Sequence, residues 1–280
     1  MLRQTFCHLE GVGPKTEQRI WNLGIRSWDD LVGVEDGALP FKRAGRLREG
    51  VAESTRHLEN KDVQFFSDSL PVGEQWRLFP ELRHSTCYLD IETTGLVGGH
   101  ITTIATYDGT EVRHYVYDQN LYDFKDDICQ YDLLVTYNGK CFDVPFLRDF
   151  FFGINLDQAH IDLRFPLRRI GYRGGLKSCE KQLGLCRGDL DEIDGFFAVC
   201  LWDEFRKTER TEALETLLAY NIQDVLTLET LMVAAYNRLL EQTPFAGELS
   251  LTEPEMGKNP FQPDAETVDR IRSRLTGYMW

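Results

Sequence analysis

The chain has 280 residues, 42% of them apolar and 27% charged; these are proportions of an ordinary globular protein and leave no room for pervasive disorder, collagen or coiled coil. Its uninterrupted apolar runs are only a few residues long, so no segment is expected to span a bilayer. With 31 basic against 45 acidic side chains the net charge is −14, which disfavours a basic wrapper of nucleic acid and suits an enzyme that gathers carboxylates around divalent metals. The opening MLRQTFCHLEG has no apolar secretory core, and the seven cysteines include no C-x-x-C pair. Both features point to reduced thiols and a cytoplasmic location.

Residues 1–60 read as helical, with an apolar-periodic stretch after Gly13 and a second candidate helix from about Ala44 to Leu58. Residues 61–86 form a connector punctuated by Pro71, Gly73 and Pro80. From Cys87 the pattern changes to short strands at 87–92, 101–107 and 112–118, joined by turns containing Gly95, Gly98, Gly99 and Gly109. A helix over 121–129, a strand at 132–137 and a helix from Asp143 to about Phe152 follow. A short strand near His160–Leu163 then leads into helices that reach about Leu239. Residues 244–263 carry four of the ten prolines and read as a linker. The stretch from Asp264 to Trp280 sets Val268, Ile271 and Leu275 on one helical face, with Asp264 as its N-cap. This order predicts an α/β fold, a mixed sheet flanked by helices with a small N-terminal helical domain. The expected boundaries are 1–60, 61–86, 87–243 and 244–280.

The strongest chemical signal is Asp90-Ile91-Glu92 at the end of the first core strand. Side chains at i and i+2 share a face of a strand, so both carboxylates converge while Leu89 and Ile91 turn to the core. Clustered oxygen ligands of this kind suit Mg²⁺ or Mn²⁺, although a D-x-E alone also fits a solvated strand edge. In Val135-Thr136-Tyr137-Asn138-Gly139-Lys140-Cys141-Phe142-Asp143-Val144-Pro145 a strand ends, Asn-Gly turns the chain, and Asp143 stands where a helix begins, either as a plain N-cap or as a ligand. In Tyr220-Asn221-Ile222-Gln223-Asp224 the tyrosine and the second carboxylate are i and i+4 and share a helix face. Asp162, in His160-Ile161-Asp162-Leu163, is expected to be structural.

Taken in order, the three pieces resemble the DEDD, or DnaQ-like, superfamily of 3′–5′ exonucleases with a ribonuclease H-like fold, over roughly residues 87–240. The first motif matches Asp90-Ile91-Glu92-Thr93-Thr94-Gly95. The second, Tyr137-Asn138-Gly139 leading to Phe142-Asp143-Val144-Pro145, is similar to the proofreading domain of family B DNA polymerases. The third matches Tyr220 and Asp224, the tyrosine variant; no histidine follows His160. With Trp76-Arg77-Leu78-Phe79-Pro80 before the first motif, the chain is most similar to the YprB-type predicted exonucleases. The resemblance implies two divalent ions, Mg²⁺ or Mn²⁺, held by Asp90, Glu92, Asp143 and Asp224, with Tyr220 orienting the attacking water. It also implies a terminal nucleotide seated near Thr93, Thr94 and Leu96, with a contribution from Asn138.

Residues 9–32, LEGVGPKTEQRIWNLGIRSWDDLV, resemble a helix-hairpin-helix. In that motif the backbone of Gly11-Val12-Gly13 meets a phosphate at a helix N-terminus, and Lys15 adds a charge there. Glu17 departs from the motif, and its charge is expected to weaken such a contact; a purely structural or protein-binding helical pair is the alternative. Between the second and third motifs lie Arg164, Arg168, Arg169, Arg173, Lys177, Lys181 and Arg187, opposed only by Glu180. They read as a track for a single strand, which Lys42, Arg43, Arg46 and Arg48 would extend. The expected partner is nucleic acid, single-stranded DNA ahead of RNA, with no membrane contact and protein partners left open. The rivals are an exoribonuclease with the same chemistry and a nucleic-acid-binding module with vestigial catalysis.

Overall fold

The five strands β1 (Thr86–Thr93), β2 (Ile101–Tyr107), β3 (Val112–Val116), β4 (Leu133–Thr136) and β5 (Ala159–Asp162) form one mixed sheet in the order β3-β2-β1-β4-β5. β1 is central, antiparallel to β2 and parallel to β4. This is a computed structural model, and it describes residues 1–35, 44–95 and 98–277. Twelve α-helices accompany the sheet among those residues. α1 (Pro14–Asn22), α2 (Trp28–Gly33), α3 (Ala44–Glu59) and α4 (Val63–Ser69) precede it, with α5 (Phe79–Leu82) leading into β1. α6 (Phe124–Asp127) and α7 (Asp143–Phe150) lie between strands. α8 (Arg164–Arg169), α9 (Leu176–Gln182), α10 (Gly195–Thr208), α11 (Thr211–Leu240) and α12 (Ala265–Gly277) follow β5. None of the described helices is long and apolar enough to cross a membrane.

The alternation within β1 divides the core. Cys87, Leu89 and Ile91 pack with Phe124, Val144, Leu147 and Phe151 on the α6–α7 side. Tyr88 belongs to the opposite face, with the buried side of α11. Asp90 and Glu92 share that second face by the period of two. α11 is 30 residues long and buried along most of its length, as expected of a helix that is apolar on nearly every side. Its Asn221 reaches the sheet, accepting from Thr103 Oγ1 on β2 at 2.9 Å.

Residues 244–263, which read as a linker, instead form an extended strap clasped along α11. Asn237 donates to Leu251 O at 2.8 Å and accepts from Leu251 N at 2.9 Å, and Asn259 donates to Ala219 O. Asp264 caps α12 by accepting from Thr267 N, and Val268 and Ile271 are buried. Arg270 and Arg274 both pair with Glu204 of α10, so α12 is bound to the core. At the other end Glu17 points inward from α1. It accepts from Thr5 Oγ1 and Phe6 N, each at 2.7 Å, and pairs with Arg77 at 2.7 Å. The charge expected to spoil a phosphate contact is therefore already neutralised inside the fold.

Candidate active site

β1 carries Asp90 and Glu92 to its C-terminal end, and α11 brings Tyr220 and Asp224 over the same face. One ligand oxygen each from Asp90, Glu92 and Asp224 lies within 4.8 Å of the others. Asn221 Nδ2 donates to Asp90 Oδ2 at 2.8 Å, so the residue beside Tyr220 fixes one carboxylate of the cluster. Asp143 is the first residue of α7 rather than its N-cap. Its Oδ1 accepts from Ile91 N at 3.2 Å, which ties the helix to the strand that bears the other two acids. A cavity of about 620 Å³ collects these groups, lined by all four carboxylates and Tyr220 and walled by Phe142, Leu176, Phe196 and Val199.

Turn chemistry places Asp143. Asn138 adopts the left-handed conformation, φ 66°, which asparagine tolerates better than most residues. Asp162, 2% exposed, accepts from the amides of Asn138, Lys140 and Arg164 and so organises this loop. A Cβ on Gly139 would collide with the Thr136 side chain, so the Asn-Gly turn is required by close packing.

Crowded carboxylates repel one another. Burial, then Asp224, Asp143 and Glu92, push Asp90 well above the usual carboxylate range, and burial with Asp224 and Asp143 does the same to Glu92. Burial raises Asp143 to about 7 and Asp224 to about 6, the latter held down by Arg187. Burial and the Asp224, Glu92 and Asp90 charges push the Tyr220 phenol well up. Close carboxylate oxygens whose four charges outnumber the one adjacent guanidinium are a donor set that suits a hard divalent cation.

The residues expected to meet nucleic acid are sorted by the fold. Thr93 lines the cavity, as does Asn138, whose Oδ1 accepts from Arg164 Nη1 at 2.6 Å. Thr94 Oγ1 accepts from His100 N, and Leu96 lies outside the described residues. Arg168 and Arg173 are exposed on and after α8. Arg169 is instead paired with the buried Glu74 at 2.6 Å. Lys177 donates to the carbonyls of Leu190, Asp191 and Ile193 and stands 5.2 Å from the Tyr220 ring. Arg187 is buried against Glu180 and Asp224. These three cations are committed to internal partners, which removes them from the expected track. Lys42 and Arg43 lie outside the described residues, and Arg48 donates to Leu31 O and Val34 O. In the hairpin, Gly11 has φ 77° and Gly13 precedes α1 as its N-cap. Lys15 is exposed, and the Val12 side chain is buried, so only the Val12 backbone faces that turn.

Asn221, Glu180 and Arg187 are contributors that sequence reasoning left without a role at the cluster. Only Asn221 has a local signal, one residue from Tyr220; the other two depend on tertiary contact.

The chain is 28% identical over 185 residues to the uncharacterized protein YprB of Bacillus subtilis (strain 168), an alignment covering 58% of this chain and 44% of that relative. It thus spans less than half of the relative's length. The family B DNA polymerase from the hyperthermophilic archaeon Pyrobaculum calidifontis matches 56% of this chain and 24% of its own, with a TM-score of 0.40 and 16% identity. Residues 87–236, which hold β1 through most of α11 and every carboxylate of the cluster, match the family model of the RNase_H superfamily, and the chain belongs to that superfamily.

Proposed function

We propose that the protein is a metal-dependent 3′–5′ exonuclease of the tyrosine DEDD type. It hydrolyses phosphodiester bonds of single-stranded or frayed DNA and releases nucleoside 5′-monophosphates. The observation that carries this reading is the convergence of Asp90, Glu92 and Asp224 on one cavity with Asp143 and Tyr220, inside an RNase_H superfamily domain. Asp90, Glu92, Asp143 and Asp224 would hold two divalent ions, Mg²⁺ or Mn²⁺, which when bound would supply activation of water at neutral pH and charge neutralisation at the departing oxygen.

The chain's own groups do the rest. Asn221 keeps Asp90 in one orientation through a bond that is itself braced by Thr103. The Tyr220 phenol stays protonated, because burial and the neighbouring carboxylates raise it, so it orients the attacking water rather than removing its proton. Phe142, Leu176, Val199 and the 65%-exposed Phe196 give the cavity an apolar wall facing its acids. That asymmetry suits a nucleotide, whose base and sugar pack on the wall while its phosphate meets the carboxylates. Thr93 and Thr94 bound the terminal nucleotide, Arg164, Arg168 and Arg173 follow the backbone of the strand, and the Gly11–Gly13 turn with Lys15 docks a more distant phosphate. In this reading residues 1–60 are the helix-hairpin-helix region, 61–86 the connector and 87–243 the exonuclease domain.

The test is digestion of end-labelled single- and double-stranded DNA and RNA while Mg²⁺ or Mn²⁺ is titrated. Metal-dependent release of mononucleotides, fastest from single-stranded DNA, is expected. Faster turnover of RNA would reassign the substrate, and binding without cleavage at any metal concentration would leave a vestigial site.

A further inference from the structure

The side chain of Arg187 is only 1% exposed, in a segment whose sequence suggests a solvated basic track. Its Nε and Nη2 form a two-pronged pair with Glu180 Oε2 and Oε1 at 2.5 and 2.7 Å. Its Nη1 meets Asp224 Oδ1. Glu180 Oε1 also accepts from Thr227 Oγ1, which lies on α11 one turn beyond Asp224. A closed circuit therefore runs from α11 through Glu180 of α9 and Arg187 back to α11 at the last carboxylate of the cluster.

The geometry constrains Asp224 in two ways. A guanidinium gripped at two of its nitrogens cannot rotate, so the direction of its third donor group is fixed. The oxygen paired with that group is the more encumbered one, which leaves Oδ2 as the oxygen of Asp224 more open to a cation. Asp90 is held by the neutral Asn221 and Asp143 by a backbone amide. Asp224 alone among the four is held by a buried charge pair, and pairs of this kind contribute little net stability compared with neutral groups of the same volume.

We propose that Glu180 and Arg187 are positioning residues for Asp224, fixing the carboxylate so that it presents one oxygen to a cation shared with Asp90 and Glu92. The inference rests on the reading of that cluster as a divalent-metal site. It does not require that the metal site cleave nucleic acid.

The decisive variant is Glu180→Gln with Arg187→Gln. It removes one charge of each sign, so the net charge around the cluster is unchanged while Asp224 loses its grip and its adjacent cation. Mn²⁺ binding to the full chain is measured by titration calorimetry, and melting without metal is followed in parallel. The expected result is affinity for Mn²⁺ weakened about tenfold, the scale of losing a residue that orients a ligand, in a chain that still unfolds cooperatively without metal. Arg187→Lys keeps the charge but cannot span both carboxylates, and should weaken Mn²⁺ binding in the same direction; it decides the matter if the double variant fails to fold. Wild-type affinity in either folded variant would overturn the proposal and leave the pair a purely structural element. Failure of the wild-type chain to bind Mn²⁺ would sink the metal reading and this inference together. Mn²⁺ binding without hydrolysis would sink the exonuclease reading alone.

Discussion

Asp90 is held and repelled at once: Asn221 donates to it while three neighbouring carboxylates oppose its charge. Asp90→Asn keeps a partner for Asn221, removes a ligand and relieves the repulsion. Hydrolysis should therefore be abolished while metal-free melting holds or rises; near-normal turnover in Mg²⁺ or Mn²⁺ would defeat the two-metal assignment. Tyr220→Phe removes only the orienting hydroxyl and should slow the reaction by roughly 10²-fold or less, well short of ligand loss. Equal loss in the two variants would make the phenol essential to bond cleavage. His8 provides a test remote from the cluster. It lies between Trp28 and Phe66, and its Nε2 donates to Ser54 Oγ, whose own proton goes to Gly50 O. Burial, then Arg77, lowers its pKa to about 4 from 6.5. A histidine kept neutral in the fold contributes stability that is complete above pH 6.5 and is lost as pH falls toward 4, about 3 kcal/mol over that window. The raised carboxylates of the cluster gain stability over the same fall in pH, so the His8 contribution is read as a difference. Chemical denaturation at pH 7 and pH 4.5 should show acid costing the wild-type chain more than it costs His8→Asn, which takes up no proton. An unchanged slope in that variant would show that His8 is not the source.

Among the elements, the N-terminal helices are joined to the segment that leads into β1 by Arg77, which is 2% exposed and pairs with Glu17 of α1 and with Glu74. Arg77→Gln strands two buried carboxylates and should cost about 3–5 kcal/mol in urea unfolding; a loss under about 1 kcal/mol would mean that the network is solvated in solution. Glu17 also shows where sequence reading ends. A glutamate in a short amphipathic helix looks solvated, and only the remote Arg77 reveals that it faces inward. Arg187 and Lys177 were equally opaque, because their partners stand on other elements and a run of cations looks the same whether it meets solvent or buried acids. Proline-rich residues 244–263 have the composition of a linker; the side chains of Asn237 and Asn259 make them a strap. By contrast, β1 through β3 were legible because alternation and turn glycines are local signals. The D-x-E of β1 and the i,i+4 pair on α11 converge once strand and helix are each formed, so most of the cluster was legible as well. Asp143 required the turn before it, where a capping role and a ligand role leave the same trace in sequence.

At the scale of the whole molecule, the exonuclease reading requires a chain with net charge −14 to admit a polyanion to a cavity lined by four carboxylates. Long-range attraction cannot do this, so recognition has to come from local contacts and from the form of the substrate. Between the second and third motifs the exposed arginines not tied to a buried acid are Arg164, Arg168 and Arg173, a short series that suits one strand better than a duplex. The cavity of about 620 Å³ has room for a nucleotide, and its carboxylates are largely buried, so a single unpaired end reaches them more readily than a stacked base pair. A duplex end must therefore unpair before its strand reaches the carboxylates, and extruding a base costs a few kcal/mol. Single strands and mismatched ends should be degraded faster than blunt duplexes, stepwise from the 3′ terminus. The measurement uses 5′-labelled oligonucleotides with a free or a blocked 3′ end, resolved over a time course in Mn²⁺. A ladder shortening one nucleotide at a time from the free end, and protection of the blocked strand, are expected. First cuts in the middle of the strand, or undiminished decay of the blocked one, would mean that the chain passes through the cavity without ending there, and the enzyme would be an endonuclease.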